Sequence, residues 1–171
     1  MTIEPTAILP TPASTDHSNF ATDKQITILE DLFNLGFAKS EEYKVYADER
    51  GLEINVQYRT LTAGELRDIA ESLGNYRSMA AQVWTEKIET LARTIVCLNR
   101  MPLVLDAKDR KEFEEKNGKD PNPLQQARII LHDKIKSPYV IDLLFDKYQE
   151  FVSNIAKSFD DVKKKLNNPT S

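Results

Sequence analysis

The sequence predicts a mainly α fold: a compact helical domain carrying one antiparallel β-hairpin, preceded by an extended N-terminal arm. Three patterns predict it. Apolar residues recur at helical spacing in several segments, above all over residues 138–166. A single pair of runs, residues 43–47 and 52–59, has the composition and alternation of strands. Residues 1–22 place Pro5, Pro10 and Pro12 among Thr, Ser and Ala with no apolar period, which leaves nothing to bury. The boundaries that follow are an arm at 1–22, a domain at 23–166 and a short tail at 167–171.

The elements are justified in order. Thr22 or Asp23 caps a helix whose apolar face is Ile26, Leu29, Leu32 and Phe33, with Gly36 at its end. The hairpin near 43–60 turns through Asp48-Glu49-Arg50-Gly51. In its second run Leu52, Ile54, Val56 and Tyr58 alternate with Glu53, Asn55, Gln57 and Arg59, so one face is buried and the other wet. Two strands alone are marginal, so the hairpin must pack on helices. Thr62-Ala63-Gly64-Glu65 has capping-box spacing and opens a helix with Leu66, Ile69, Ala70 and Leu73 on one face, stopped at Gly74. A longer helix is expected from about Tyr76 to Leu98, its stripe formed by Met79, Val83, Trp84, Ile88, Leu91, Ile95 and Leu98, with Pro102 barring continuation. The charged residues 106–116 read as a short helix. The turn-rich 117–123 extends it into a mobile surface loop near 116–123. Leu124, Ala127, Leu131 and Ile135 mark another helix.

The last helix has the clearest pattern. After Pro138, suited to a first turn, Ile141, Phe145, Tyr148, Val152, Ile155, Phe159, Val162 and Leu166 alternate spacings of four and three. Leu143, Leu144 and Phe151 widen the stripe near its start, so that half packs inside the domain. Beyond Ile155 it narrows between Lys157, Asp160, Asp161 and Lys163. A narrow terminal stripe fits either a seat along its own domain or pairing with another helix, from this protein or a partner.

Composition removes several function classes. The chain has 171 residues, 40% hydrophobic and 29% charged, with formal net charge −4. A length of that order supports a core without staples. Mean hydropathy is −0.48, and no apolar run approaches the roughly 18 residues of a membrane span, so no membrane partner is expected. A pI near 5.3 gives no global attraction to nucleic acid, and Lys163-Lys164-Lys165 reads as a cluster complementing a helix C-terminus. Residues 1–5 lack the basic start and apolar core of a signal peptide, which places the chain in the cytoplasm. The single Cys97, with only His17 and His132, excludes a disulfide framework and the usual Cys/His zinc site.

No catalytic, cofactor or metal site emerges. The five glycines are scattered and form no phosphate loop. His132-Asp133 has the composition of half a diad, but neighbouring helical residues diverge. Cys97, between Val96 and Leu98, reads as a packed small hydrophobe, and Trp84 as core. Glu114-Glu115 and Asp160-Asp161 are adjacent rather than convergent, and residues 116–123 lack a calcium loop's ligand order. The chain therefore reads as non-enzymatic, with no cofactor.

Three phrases carry more information than any single motif: Tyr58-Arg59-Thr60-Leu61-Thr62-Ala63-Gly64-Glu65-Leu66, the run from Ile88-Glu89-Thr90-Leu91-Ala92-Arg93 to Pro102-Leu103, and Ser137-Pro138 through Leu144 to Tyr148. Their order resembles that of small phage tail-assembly proteins, the tail assembly chaperones and related baseplate-hub assembly factors. Arg100-Met101 stands where that family usually has Gly before Pro-Leu, and the arm and residues 106–123 exceed a minimal member. The resemblance implies a non-enzymatic protein that holds hub or tape-measure components in the host cytoplasm during assembly. The alternative is a permanent structural subunit of the tail or baseplate, located in the virion, whose arm docks on neighbours. Clients of either kind would be gripped helix in groove. The candidate surface is Ile155, Phe159, Val162 and Leu166, which also offers self-association through the C-terminal helix.

Overall fold

The computed structural model describes residues 42–47 and 53–167. The expected arm at 1–22, the helix around residues 26–33 and the turn at 48–51 lie outside the described residues. About 66% of what is described is helical, built around a small antiparallel sheet, so the mainly α class holds. Strand β1 (Tyr43–Ala47) pairs antiparallel with β2 (Glu53–Tyr58), Tyr43 opposite Val56 and Ala47 opposite Glu53. The alternation in β2 does what its sequence dictates. Val56 and Tyr58 are fully buried and Ile54 packs on the core, while Glu53 is exposed.

The sheet has one strand more than the hairpin. Strand β3 (Ile95–Leu98) pairs antiparallel with the far edge of β2, giving the order β1-β2-β3. The helix expected to reach Leu98 ends at Thr94, without Gly or Pro, and the chain passes directly into the strand. A run of β-branched residues, Thr94-Ile95-Val96, meets an open row of β2 donors and acceptors, and pairing there satisfies more buried groups than another helical turn. Val96 is the extra residue of a bulge opposite β2, and Arg59 N–H donates to Thr94 C=O at 2.8 Å just past it. Asn99 and Arg100 then turn the chain with φ 47° and 64°. Asn99 hydrogen-bonds Asn55 twice, its side-chain oxygen accepting from Asn55 N–H at 2.8 Å and its own N–H donating to Asn55 C=O at 2.7 Å.

Five α-helices are described, two between β2 and β3 and three after β3. Helix α1 (Ala63–Leu73) starts at the expected capping box. It buries Ile69 alone, whereas Leu66 and Ala70, expected on the same face, are exposed. Helix α2 (Met79–Thr94) is exposed along its first half and enclosed on all sides over its last turns. Helix α3 (Ala107–Asn117) is capped by Asp106 and ended by Gly118 in the left-handed region, φ 68°, where glycine carries no Cβ penalty. Arg110 pairs with Asp120, and Gln126 of α4 (Pro123–Ile129) donates to Pro121 C=O at 2.9 Å, so residues 118–122 are tied to both neighbouring helices. Helix α4 widens into a π-helical turn over Ile130–Lys134, and α5 (Pro138–Asn167) closes the core.

The core joins Val56 and Tyr58 to Ile88, Leu91, Ala127, Leu131, Ile141, Leu144, Tyr148 and Phe151. At its centre the Tyr58 ring stacks with Phe151 at 6.0 Å and meets Tyr148 edge-on at 5.7 Å. Its hydroxyl donates to Leu144 C=O at 2.6 Å, so a fully buried phenol is satisfied by helix backbone. Burial pushes that phenol well above the usual tyrosine range. Tyr58→Phe removes the hydrogen bond and keeps the ring, and is expected to lower unfolding free energy by about 1 kcal/mol in urea titrations. Tyr58→Ala, which empties the cluster, should lose ~3–5 kcal/mol. Equal stability of Tyr58→Phe and wild type would show that the hydroxyl contributes nothing.

Candidate partner-binding surface

Helix α5 has 30 residues, about 45 Å at the usual rise. Its deepest line is Ile141, Leu144, Tyr148 and Phe151, all buried. Phe145 and Val152, read from the sequence as part of one stripe with Ile141 and Tyr148, are its half-buried flank. Both lines have heptad spacing, and only the position of the sheet decides which one is deeper.

The four candidate residues do not share one environment. Ile155 continues the buried line and packs half-buried on the core. Phe159 and Val162 are half-buried but join neither the core nor the residues packed on it. Leu166 lies within the helix, and its side chain is outside the described residues. Ser158 occupies the step after Phe151 and Ile155 where the buried line would go next, and its hydroxyl donates to Asn154 C=O at 3.0 Å. Lys157, Asp160, Asp161 and Lys163 are exposed around it. What extends past the core is thus Phe159, on the flank that began with Phe145 and Val152, together with Val162.

The phrase at residues 58–66 is a joint between strand and helix. Arg59 donates to both oxygens of Glu65, at 2.9 and 2.5 Å, and to Thr60 C=O at 3.0 Å. Glu65 also accepts from Thr62 N–H at 2.9 Å, while the Thr62 hydroxyl accepts from Glu65 N–H at 3.2 Å. One carboxylate therefore caps α1 and anchors the end of β2. Hydrogen bonding from Arg59, aided by Thr62, holds the Glu65 carboxyl at about 2, well below its ordinary 4.5.

A second charged group lies deeper. Glu89 and Arg93 form an i,i+4 pair within the enclosed part of α2, and Arg128 of α4 donates to the same Glu89 oxygen at 2.6 Å. Burial raises the Glu89 carboxyl, yet the two guanidiniums outweigh it and the net shift is downward. Glu89 and Arg93 stand four apart in the sequence, a spacing not singled out above; Arg128, 39 residues from Glu89, has no local signal. His132 and Asp133 do meet, Nδ1 to Oδ1 at 2.7 Å, contrary to the divergence expected of adjacent helical residues. They sit on the π-turn, and both remain more than half exposed. Cys97 lies in β3 rather than in a helix, its thiol 3.5 Å from the Gln57 side-chain oxygen. Among the described residues no three His, Cys, Asp or Glu side chains are grouped to hold a metal ion, and no helix is long and apolar enough to cross a membrane.

Two outcomes are expected. The double variant Phe159→Glu/Val162→Glu should abolish self-association or partner binding, read by analytical ultracentrifugation, with helical circular dichroism largely intact. Collapse of the fold would make these residues structural. Glu65→Gln keeps the capping box and loses the Arg59 ion pair, lowering stability by ~1 kcal/mol at neutral pH after allowing for partial exposure. Because the folded Glu65 value lies below the unfolded one, this stability is complete above about pH 4.5 and disappears as pH falls towards 2. The gap between wild type and variant should narrow across that window in denaturant titrations.

No protein-family model matches the chain, and no characterised protein or solved structure has significant similarity to it.

Proposed function

We propose that the chain is a non-enzymatic assembly protein of a tailed phage, binding hub or tape-measure components in the host cytoplasm through helix-on-helix contacts. One observation carries the protein-binding part of this reading. Helix α5 keeps apolar residues, Phe159 and Val162, beyond Ile155, the last of its described side chains to pack on the core. A helix end that merely bounded the domain would need only polar residues there. A stripe of that width suits one partner helix, and self-association through α5 uses the same residues. The phage assignment rests on the resemblance of residues 58–66, 88–103 and 137–148. In this fold those phrases supply a capped joint, a helix-to-strand transition and the start of α5. They are architectural, as the parts of a binding scaffold are.

The test is quantitative mass spectrometry of purified particles against infected-cell lysate. The chaperone reading expects the chain in lysate and its absence from particles. Stoichiometric recovery in particles would instead make it a permanent tail or baseplate subunit. Absence from both would overturn the phage assignment.

A further inference from the structure

We infer that the cavity between α2 and the π-turn after α4 binds a small organic anion, a carboxylate carried on an apolar, ring-sized body. The cavity measures about 320 Å³, at the lower end of small-molecule sites. Tyr76, Ala81, Trp84 and Ile88 supply its apolar wall, while Glu89 and Arg128 supply charge.

Charge determines what fits. Glu89 is one carboxylate between two guanidiniums, so the group carries one positive charge in excess. Arg93 does not present it, because its side chain is only 7% exposed and also donates to Glu89 C=O. Arg128 does. Its side chain keeps 37% of its surface and spends one hydrogen bond on Glu89; its Nε has no partner among the described residues but is enclosed, so the terminal nitrogens are what a ligand would meet. The histidine on the cavity wall, His132, meets its own neighbour Asp133, Nδ1 to Oδ1 at 2.7 Å. Among the described residues no acid besides Glu89 lines the space. A guanidinium with free donors beside an aromatic wall matches a carboxylate that cannot be fully solvated once its apolar body is seated. The site is separate from Phe159 and Val162, so it stands or falls independently of the assembly reading.

Trp84 is the only tryptophan and lines the cavity, which makes the full chain its own reporter. The probe is 3-phenylpropionate at neutral pH, with 3-phenylpropanamide as its uncharged counterpart. A saturable change in Trp84 fluorescence is expected, with Kd roughly 0.1–5 mM for a ligand of that size, and at least ~10-fold weaker binding of the amide. Arg128→Gln should remove saturable binding with circular dichroism unchanged, since Arg93 still pairs with Glu89. Arg128→Lys keeps the charge but loses the planar fork, and should weaken binding less. If Arg128→Gln does not fold, the acid–amide difference and Arg128→Lys decide, with saturation-transfer NMR as the second readout. No saturable binding by either method up to ~20 mM, equal binding of the amide, or full binding by folded Arg128→Gln would overturn the site and leave Arg128 a solvated cation.

Discussion

Strand β2 has both edges and one face inside the protein, and the described part of the fold is arranged to satisfy it. Val56 and Tyr58 are completely buried, so a bare edge beside them would strand backbone donors and acceptors in the interior. The chain answers with four residues taken from what would otherwise be the end of α2. That exchange of helix for strand places the last turns of α2 over the sheet, under α4 and against α5, where every residue from Ile88 to Ile95 is buried. A helix buried all round cannot keep a polar side solvated. Thr90 and Thr94 resolve this locally, the Thr94 hydroxyl donating to Thr90 C=O at 2.8 Å, while Glu89 and Arg93 neutralise each other.

The second consequence concerns α5. The Tyr58 hydroxyl reaches its backbone at Leu144, and the aromatic cluster of Tyr58, Tyr148 and Phe151 fixes its rotation. With rotation fixed, the heptad phase is fixed along the whole helix, because an α-helix does not reset its phase without a break. The side towards which Phe159 and Val162 point is therefore set by contacts made about two to five turns earlier. Arg59 and Glu65 act similarly on α1, whose direction is tied to the end of β2 through one shared carboxylate.

Elements with a local signature were legible. The alternation of β2, the capping box at Thr62 and Pro138 before α5 each act within a few residues, and periodicity or caps reveal them, whereas Gly118 after α3 and Asn122-Pro123 before α4 fall in the segment read as a loop near 116–123. Strand β3 was not legible, because Ile95-Val96-Cys97-Leu98 is apolar without a period and extends the α2 stripe equally well. Its pairing with residues some forty positions earlier decides it. The same limit hid Arg128 beside Glu89, the deeper phase of α5 and the exposure of Leu66. At the candidate surface the stripe was readable, but the division between Ile155 on the core and Phe159 beyond it depends on where the sheet ends.

The buried charges are the least economical part of this arrangement. Ion pairs of this kind contribute little stability over apolar residues of similar volume, while removing one partner strands the other in the interior. A Glu89/Arg93 pair alone would have been neutral and sufficient for α2. Arg128 adds a second cation to a carboxylate already matched, and its side chain remains partly exposed at the one place where Trp84, Tyr76 and Ile88 open a cavity. Packing does not require that charge, and the helix it belongs to is already capped by Asn122 and held by Gln126, which accepts from Leu105 N–H at 3.1 Å. That surplus charge, on a side chain lining the same cavity as Trp84 and Tyr76, is what the proposed anion site would use.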